Sequence, residues 1–284
     1  MRDCLTATVL VENSSAEGLL CEHGLSVHLC YRRAGAETNV VLDFGQSGAF
    51  AENARTLGVD LDCVDAAVLS HAHYDHADGM PAFFERNSEA PLYLSAACAE
   101  TCWSTKGGTT DAHYIGIGVG LLDAYGARLR RVPTDTVTTI APGIHLVPHT
   151  TEGLAEAGSS AGMLLRGEDG WLPDDFAHEV SLVFELGEGD QAPLAVFNSC
   201  SHAGLSVIAG EVRAAFPGRA IAAYVGGLHL VHASDEAILD VARAVDAVGI
   251  GCVYTGHCTG AHALELLECA LPGRVVALRP GLVF

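Results

Sequence analysis

The amino-acid sequence predicts an α/β fold in which two mixed β-sheets pack face to face and helices cover their outer faces. Short β-branched or apolar runs alternate with longer segments of helical periodicity, which is typical of this class. The early runs resemble hairpins, whereas the later ones resemble strand–helix–strand units. No linker-like stretch divides the 284 residues, of which 49% are hydrophobic. We therefore expect a single domain over residues 1–284.

Each element follows from its local pattern. In the first half, β-branched and apolar runs predict strands at residues 5–12, 24–31, 39–43 and 66–70. Helical spacing predicts helices at residues 49–57 and 79–86. In the second half, the same criteria predict strands at residues 143–147, 179–186, 194–198, 220–225 and 252–255. They also predict helices at residues 205–215, 235–248 and 261–270.

The acidic composition limits the partners of this protein. Its formal net charge is -20, from 35 acidic and 15 basic residues, so most of the surface would repel an extended polyanion such as duplex DNA. A small anionic substrate stays compatible, because bound divalent metals would set the potential inside a pocket. No apolar run reaches the roughly 20 residues that span a bilayer, and no signal peptide is evident. We expect a cytoplasmic protein without membrane contact, in which a homodimer would be one way to bury surplus apolar surface.

The ten cysteines indicate neither a structural zinc site nor a disulfide framework. None of them belongs to a C-x-x-C pair, and a chain of this length without a secretion signal has little need of disulfides. Most of them are expected to be small buried hydrophobic residues.

The most informative segment is an apolar strand that leads directly into four potential metal ligands. In an extended chain, side chains two residues apart share a face, so His71 and His73 can reach one metal. Asp75 and His76 fall where the strand gives way to a loop and a helix start, and this turn would direct them to a second metal. Imidazoles with a carboxylate suit zinc, manganese or iron. The spacing therefore predicts a site for two divalent metals, with zinc preferred.

This segment, H-x-H-x-D-H, resembles the signature of the metallo-β-lactamase superfamily. The resemblance extends over about residues 5–260, and within the superfamily it is to a dihydropterin phosphate synthase-like, methanopterin-related subgroup. Further matching segments are 10–13 (LVEN), 22–26 (EHGLS), 43–46 (DFGQ), 200–204 (CSHAG), 226–230 (GGLHL) and 257–260 (HCTG). The resemblance implies an αββα sandwich with the metals at one edge between the sheets. A shared fold does not by itself fix the reaction.

The remaining ligands would come from the ends of later strands. His257 matches the last histidine of the superfamily pattern, which implies a ligand of the second metal. Many relatives place a metal-bridging aspartate after the strand at 194–198, where this chain has no aspartate. His202 is our preferred ligand there and Cys200 the second choice, while His178 is an alternative third histidine for the first metal. The order along the chain leaves these alternatives open.

Other residues are expected to support the site. The resemblance implies that Asp43 braces a metal-binding histidine through a hydrogen bond. His229, after two glycines, either lines the pocket or is a hydrogen-bonded histidine at a strand end, and His23 is either a partner of a ligand or a turn residue. Asp78 and Gly79 fit a loop and helix start. Residues 104–120 form either a cover over the pocket or a surface loop.

These features predict a metal-dependent hydrolase. A metal-bound hydroxide would attack the substrate, and Asp75 would position the water and accept its proton. The subgroup resemblance favours a small phosphoester and phosphodiesterase-like activity, with a lactone or thioester as the alternative. A mononuclear iron dioxygenase and a non-enzymatic metal sensor are alternatives of other classes. Because relatives that cycle electrons on two irons typically carry a carboxylate in place of His73, a diiron enzyme is disfavoured.

Overall fold

The structure, a computed structural model, describes residues 3–105, 111–168 and 170–284. In chain order, the strands are β1 (Cys4–Val11), β2 (Ser26–Arg33), β3 (Ala36–Leu42), β4 (Ala66–Val68), β5 (Leu92–Ser95), β6 (Cys102–Ser104), β7 (His113–Tyr114), β8 (Leu129–Val132), β9 (Thr138–Ala141), β10 (Ile144–Pro148), β11 (Met163–Gly167), β12 (Gly170–Pro173), β13 (Val180–Glu185), β14 (Leu194–Phe197), β15 (Ile221–Val225), β16 (Cys252–Thr255) and β17 (Val275–Ala277).

The helices follow the same order. They are α1 (Ala49–Leu57), α2 (Tyr74–Ala77), α3 (Met80–Arg86), α4 (Leu121–Ala124), α5 (Leu154–Ala161), α6 (Leu205–Ala215), α7 (Asp235–Val248) and α8 (Ala261–Ala270). In the described ranges, no helix has both the length and the apolar character needed to cross a bilayer.

Two mixed sheets form the centre of the molecule. The first has the order β1-β2-β3-β4-β5-β8, antiparallel from β1 to β3 and parallel from β3 onward. The second has the order β17-β16-β15-β14-β13-β10-β9, parallel from β17 to β14 and antiparallel beyond. Parallel neighbours need crossover connections, which the helices supply. The predicted αββα arrangement of two mixed sheets is confirmed.

The alternation of side chains along each strand divides the core into three layers. In β13, Leu182 packs between the sheets, whereas its neighbour Val183 faces the helices outside. The inner layer joins residues of the first sheet, such as Val40, to residues of the second, such as Phe184. Burying these apolar side chains on both sides of each sheet supplies the main stabilisation of the sandwich.

Each outer face is covered by its own set of helices. Phe50 of α1 and Phe83 of α3 are buried against the first sheet. Residues of α6, α7 and α8, including Ile238, pack on the second sheet. These helices leave the edge at which the parallel strands end free for the loops that carry the predicted ligands.

The structure also contains elements that the sequence pattern did not predict. A third sheet, with the order β12-β11-β6-β7, lies outside the sandwich. The short strands β5, β8, β9 and β17 and the helices α2, α4 and α5 were not predicted either. Strand β4 ends at Val68, two residues before the predicted end at residue 70, so the ligand segment begins in a loop.

Candidate metal centre

The H-x-H-x-D-H segment bridges a strand end and a helix start, as its spacing predicted. His71 lies in a bend after β4, and His73 has an extended backbone with φ -104° and ψ 148° at the residue before α2. Asp75 and His76 occupy the first turn of α2 and are buried. The local turn therefore separates the four side chains into two pairs.

The later candidates converge on the same edge of the sandwich. Cys200 and His202 follow β14, His229 follows β15, and His257 follows β16. Parallel strands bring their carboxyl ends to one edge, so these loops meet the segment that follows β4. The structure brings together all six residues expected to bind metal directly.

Hydrogen bonds fix the orientation and tautomer of His71. The Ser70 hydroxyl donates its proton to Asp43 Oδ2 at 2.7 Å, so it can only accept from His71 Nδ1, which also lies at 2.7 Å. The proton of His71 is therefore on Nδ1, and Nε2 carries a lone pair. This Nε2 is buried without a hydrogen-bond partner in the described part of the chain.

His76 and His257 are fixed in the same way. His76 Nδ1 lies 2.8 Å from Asp43 Oδ2, and His257 Nδ1 lies 2.8 Å from Asn13 Oδ1. Both oxygens are acceptors, so each ring carries its proton on Nδ1 and a lone pair on Nε2. The two Nε2 atoms nevertheless face each other at 3.1 Å. Two lone pairs at this distance repel each other unless a proton on one of them or a bound cation lies between them.

Asp75 adds a negative charge to this pair. Its Oδ2 atom lies 3.3 Å from His257 Nε2 and 3.5 Å from His76 Nε2. In a tetrahedral site with bonds of about 2.0–2.1 Å, neighbouring ligand atoms lie about 3.3–3.4 Å apart. The donor atoms of Asp75, His76 and His257 therefore fit one divalent metal. His23 Nε2 also lies 3.2 Å from Asp75 Oδ2, which makes it a partner of this carboxylate.

The imidazole rings of His71, His73 and His202 lie next to the group formed by Asp75, His76 and His257. The His202 ring centroid is 4.9 Å from that of His71 and 4.8 Å from that of His73. Both ring nitrogens of His202 and the Nε2 of His73 are buried without a hydrogen-bond partner among the described residues. Buried polar atoms are normally paired, so such a cluster indicates a site for a ligand. The donor set of His71, His73 and His202 suits a second divalent metal.

The pKa shifts differ between the group formed by His71, His73 and His202 and the group that contains Asp75 and His76. Burial lowers the pKa of His73 to about 3 and lowers the pKa of His71 and His202 well below the usual range, so all three are neutral. Burial also lowers the pKa of His76, but the carboxylates of Asp75 and Asp43 outweigh burial and raise it to about 9. Neutral imidazoles are the form that binds metals.

Asp75 remains a carboxylate despite its burial. Burial raises its pKa, but His76 and His257 outweigh this effect and lower the pKa below its usual value. The ionised form is the one that binds a metal or accepts a proton.

His178 lies behind the ligand segment. Its Nδ1 accepts the backbone N–H of Ala72 at 3.2 Å, and its Nε2 lies 3.1 Å from Asp174 Oδ2. Nδ1 thus holds the backbone between His71 and His73, while Nε2 is paired with the Asp174 carboxylate. Ligand atoms of His178, Asp174, Cys102 and His73 also lie within 4.8 Å of one another. This buried cluster supports the first histidine pair from the side away from His202.

Cys200 and His229 both reach the centre. Cys200 Sγ lies 3.2 Å from His76 Nε2, and burial raises the pKa of its thiol. The ring of His229 lies 4.5 Å from that of His202. His229 has a φ of 52°, in the left-handed region that a residue other than glycine seldom adopts. Strained backbone of this kind is often retained where a side chain is needed for function.

Several supporting residues were not identified from the sequence. Glu12 accepts the backbone N–H of His257, and Glu179 accepts the N–H of His202 at 3.2 Å. Glu179 in turn binds His149, whose other nitrogen lies 2.7 Å from Glu211. Glu12 lies within the LVEN segment noted above, but nothing in its position reveals a partner so distant along the chain.

The centre opens into a cavity of about 390 Å³. Its described lining residues are Asn13, His23, His73, Tyr74, Asp75, Ser104, His113, Ile115, Met163, Cys200, His202, His229, Val231, His232, His257 and Cys258. Asp75 is the one carboxylate in this lining, although the chain carries a net charge of -20. Imidazoles therefore dominate a pocket within a strongly acidic protein.

Asp78 and Gly79, which the sequence assigned to a loop and helix start, make other contacts in the structure. Asp78 Oδ1 accepts the N–H of Gly118 at 2.7 Å and so ties down the loop at residues 104–120. Ser104 of β6, His113 of β7 and the following Ile115 line the cavity, so this segment is in part a strand pair, and residues 106–110 lie outside the described residues. Gly79 has an ordinary φ of -74°, but a Cβ there would lie 2.0 Å from Phe44 O. Close packing, rather than a special turn, requires this glycine.

Comparison with known proteins identifies relatives of this chain. A curated relative is the 7,8-dihydropterin-6-methyl-4-(beta-D-ribofuranosyl)-aminobenzene-5'-phosphate synthase of Methanocaldococcus jannaschii, which is 24% identical over 254 residues, or 85% of this chain and 82% of the relative. The crystal structure of Tm1679, a metal-dependent hydrolase of the beta-lactamase superfamily, is 26% identical. It matches with a TM-score of 0.80 over 99% of this chain and 98% of that chain.

Unliganded yeast PDE1 shares the fold at 9% identity, with a TM-score of 0.56 over 98% of each chain. Residues 24–257 match the family described as the metallo-beta-lactamase superfamily, and this range includes the H-x-H-x-D-H segment, His202 and His257. The chain therefore belongs to the metallo-beta-lactamase superfamily.

Proposed function

We propose that this protein is a two-metal hydrolase that cleaves a small phosphoester, with zinc as the preferred metal. The first metal would be held by His71, His73 and His202. The second would be held by Asp75, His76 and His257. The observation that carries the proposal is the convergence of three donor atoms, His76 Nε2, His257 Nε2 and Asp75 Oδ2, at 3.1, 3.3 and 3.5 Å from one another, which is the spacing of ligands around one divalent metal.

The residues of the centre have distinct roles in this proposal. Divalent metals bound here would lower the pKa of a coordinated water to about 7 and stabilise developing negative charge. Asp75 would face the metal with Oδ2, the atom near His76 and His257, and would orient that water and accept its proton with its other carboxylate oxygen. Asp43 would hold His76 by its hydrogen bond and His71 through Ser70.

The pocket supports an anionic substrate. His229 and His232 line the cavity beyond the proposed ligands, and His113 lines it from the loop at residues 104–120. Imidazole N–H groups can donate to phosphoryl oxygens, and the lining offers little carboxylate to repel them. A cavity of about 390 Å³ suits a small molecule. The curated relative has a 5'-phosphate in its name, which favours a phosphoester over a lactone or thioester.

Metal analysis paired with a turnover screen tests this proposal. The purified chain would be analysed for zinc, manganese and iron, then assayed on bis(p-nitrophenyl) phosphate, p-nitrophenyl phosphate, a chromogenic lactone and a thioester. We expect about two zinc or manganese ions per chain and turnover of the phosphodiester. The His71→Ala/His76→Ala double variant controls for contaminating phosphatase.

Other outcomes would overturn specific parts of the proposal. Turnover restricted to the lactone or thioester would exclude phosphoester specificity. One iron per chain with oxygen consumption and no hydrolysis would identify an oxygen-dependent enzyme. Two metals without turnover of any substrate in the screen would support a metal-binding sensor.

A further inference from the structure

The Cys200 thiol lies between the two proposed metal positions. Its Sγ atom is within 4.8 Å of the ligand atoms of His71 and His202, and also within 4.8 Å of those of His76 and His257. The side chain is buried, and the residue is 3% exposed. Cys200 is therefore common to both groups of donor atoms.

The distance between Cys200 and His76 is close to that between two ligands of one metal. Cys200 Sγ lies 3.2 Å from His76 Nε2. In a tetrahedral zinc site, a sulfur at about 2.3 Å and a nitrogen at about 2.1 Å from the metal lie about 3.6 Å apart. A small movement of the thiol would therefore complete the group formed by Asp75, His76 and His257.

The neighbouring Cys258 has a different role. Its Sγ lies 3.7 Å from the backbone carbonyl of Cys200 and also contacts the side chains of Cys200 and His229. A Cβ on Gly227 would lie 2.4 Å from Cys258 Sγ, so this thiol packs tightly against backbone. Cys258 thus supports the Cys200 loop and provides a matched control.

We propose that Cys200 binds both metals as a bridging thiolate. No aspartate follows β14 in this chain, so the sulfur would supply the shared negative ligand between the two positions. On binding, the thiol loses its proton to solvent and sulfur–metal bonds form. Soft thiolate ligation would favour zinc over manganese. The inference rests on the proposed two-metal centre.

Cobalt(II) absorption tests the bridge without an activity assay. Thiolate–cobalt bonds give a charge-transfer band in the near ultraviolet that nitrogen and oxygen ligands do not give. The metal-free, full-length chain would be titrated anaerobically with cobalt chloride. We expect the band to grow through both the first and the second equivalent, because each metal gains a bond to the same sulfur.

Single substitutions identify the sulfur. Cys200→Ser should abolish the band at both stoichiometries. Cys258→Ser and Cys102→Ser should retain it, because these thiols are adjacent to the centre without lying between its two halves. Cys200→Asp should bind two cobalt ions without the band, which separates loss of the sulfur from loss of the fold.

The outcomes distinguish the bridge from the two-metal centre. Growth of the band that stops at one equivalent would overturn the bridge, as would a band that survives in Cys200→Ser. Binding of two cobalt ions without any band in the unaltered chain would also reject Cys200 while leaving the two-metal proposal intact. Binding of only one cobalt ion would reject the two-metal centre itself.

Discussion

The carboxylate of Asp43 lies 2.8 Å from Nδ1 of His76, and the same oxygen accepts the hydroxyl proton of Ser70. Through Ser70 it also fixes His71, which belongs to the other proposed metal position. One buried carboxylate thus sets the tautomers of two histidines that face different metals. Loss of this charge should affect both positions together.

Replacing Asp43 by asparagine tests this coupling. Asn tolerates the left-handed backbone of this position, φ 58°, so the substitution removes charge with little added strain. We expect affinity for zinc to fall about 10- to 100-fold, as is typical for partners of metal ligands. Competition with a chromophoric chelator measures the change. Asp240→Asn, on an exposed aspartate paired with Arg243, is the control, and equal affinities in both variants would contradict the prediction.

Replacing Asp75 by asparagine tests its proposed part in catalysis. We expect kcat on a phosphodiester to fall on the order of 10²- to 10⁴-fold while KM changes little, because Asp75 would act on the water and not on the substrate. Metal content is measured in the same samples. Asp78→Asn is the neighbouring control, since Asp78 holds a loop through Gly118. A full rate in Asp75→Asn with both metals bound would exclude this role.

Replacing His229 by asparagine tests the preference for anions. Asparagine accepts the positive φ of this position, so the fold should be retained. We expect kcat/KM to fall about tenfold for a phosphodiester, the effect of losing one hydrogen bond to a charged group. A neutral lactone should show no such loss. His262→Asn, at an exposed histidine paired with Asp235, serves as the control, and equal losses on both substrates would argue against anion recognition.

Two glycine substitutions should have opposite effects on stability. In Gly79→Ala, the added Cβ would meet Phe44 O at 2.0 Å and Ser47 O at 2.4 Å, and both of these oxygens belong to the backbone. We expect a loss of several kcal/mol in the free energy of unfolding, on the order of 3 or more, since neither segment can move without disturbing the ligands. Gly210→Ala, in the middle of α6 with nothing within 4 Å, should gain about 1 kcal/mol. Urea unfolding of both variants measures the difference.

The buried His149 should make stability depend on pH. Burial lowers its pKa, but the carboxylates of Glu179 and Glu211 outweigh burial and raise it to about 9 from an ordinary 6.5. Because the pKa of His149 is higher in the folded than in the unfolded chain, its protonation stabilises the folded state. This contribution is complete below pH 6.5 and is lost as the pH rises through 9. The shift corresponds to about 3 kcal/mol.

Urea unfolding at pH 6.5 and 9.5 measures this loss. Chelator is present throughout, and His149→Gln is the reference because it has no proton to lose at this position. We expect the free energy of unfolding to fall more steeply with pH in the unaltered chain than in the variant. Parallel pH profiles would show that His149 is not charged in the folded state.

The sequence predicts the helices better than the small sheet. The bounds of α1, α6, α7 and α8 agree with the structure, because their apolar periodicity is long and their ends carry signals such as Ser234 before α7 and Gly249 after it. Strands β6, β7, β11 and β12 are only two to five residues long, with mixed exposure. Such runs carry too few residues for an alternating pattern to be distinguished from a loop.

The candidate site likewise contains residues that the sequence identifies and contacts that it does not. His71, His73, Asp75 and His76 are recognisable because four potential ligands occur within six consecutive residues after one strand. The contact of Asn13 with His257 spans 244 residues, and only the folded backbone brings the two together. Likewise, the engagement of His178 with Ala72 and Asp174 depends on tertiary packing that local spacing does not encode.

The distance along the chain between Asn13 and His257 has a consequence for biosynthesis. Strand β1, which leads to Asn13, also pairs with the last residues, since Ala7 N donates to Phe284 O at 2.8 Å. A nascent chain that has not yet passed β16 can already present His71, His73 and His202, but it lacks His257. We therefore expect the second metal position to be completed only after the segment that follows β16 has been synthesised, and fragments that end before His257 to contain at most one complete metal position.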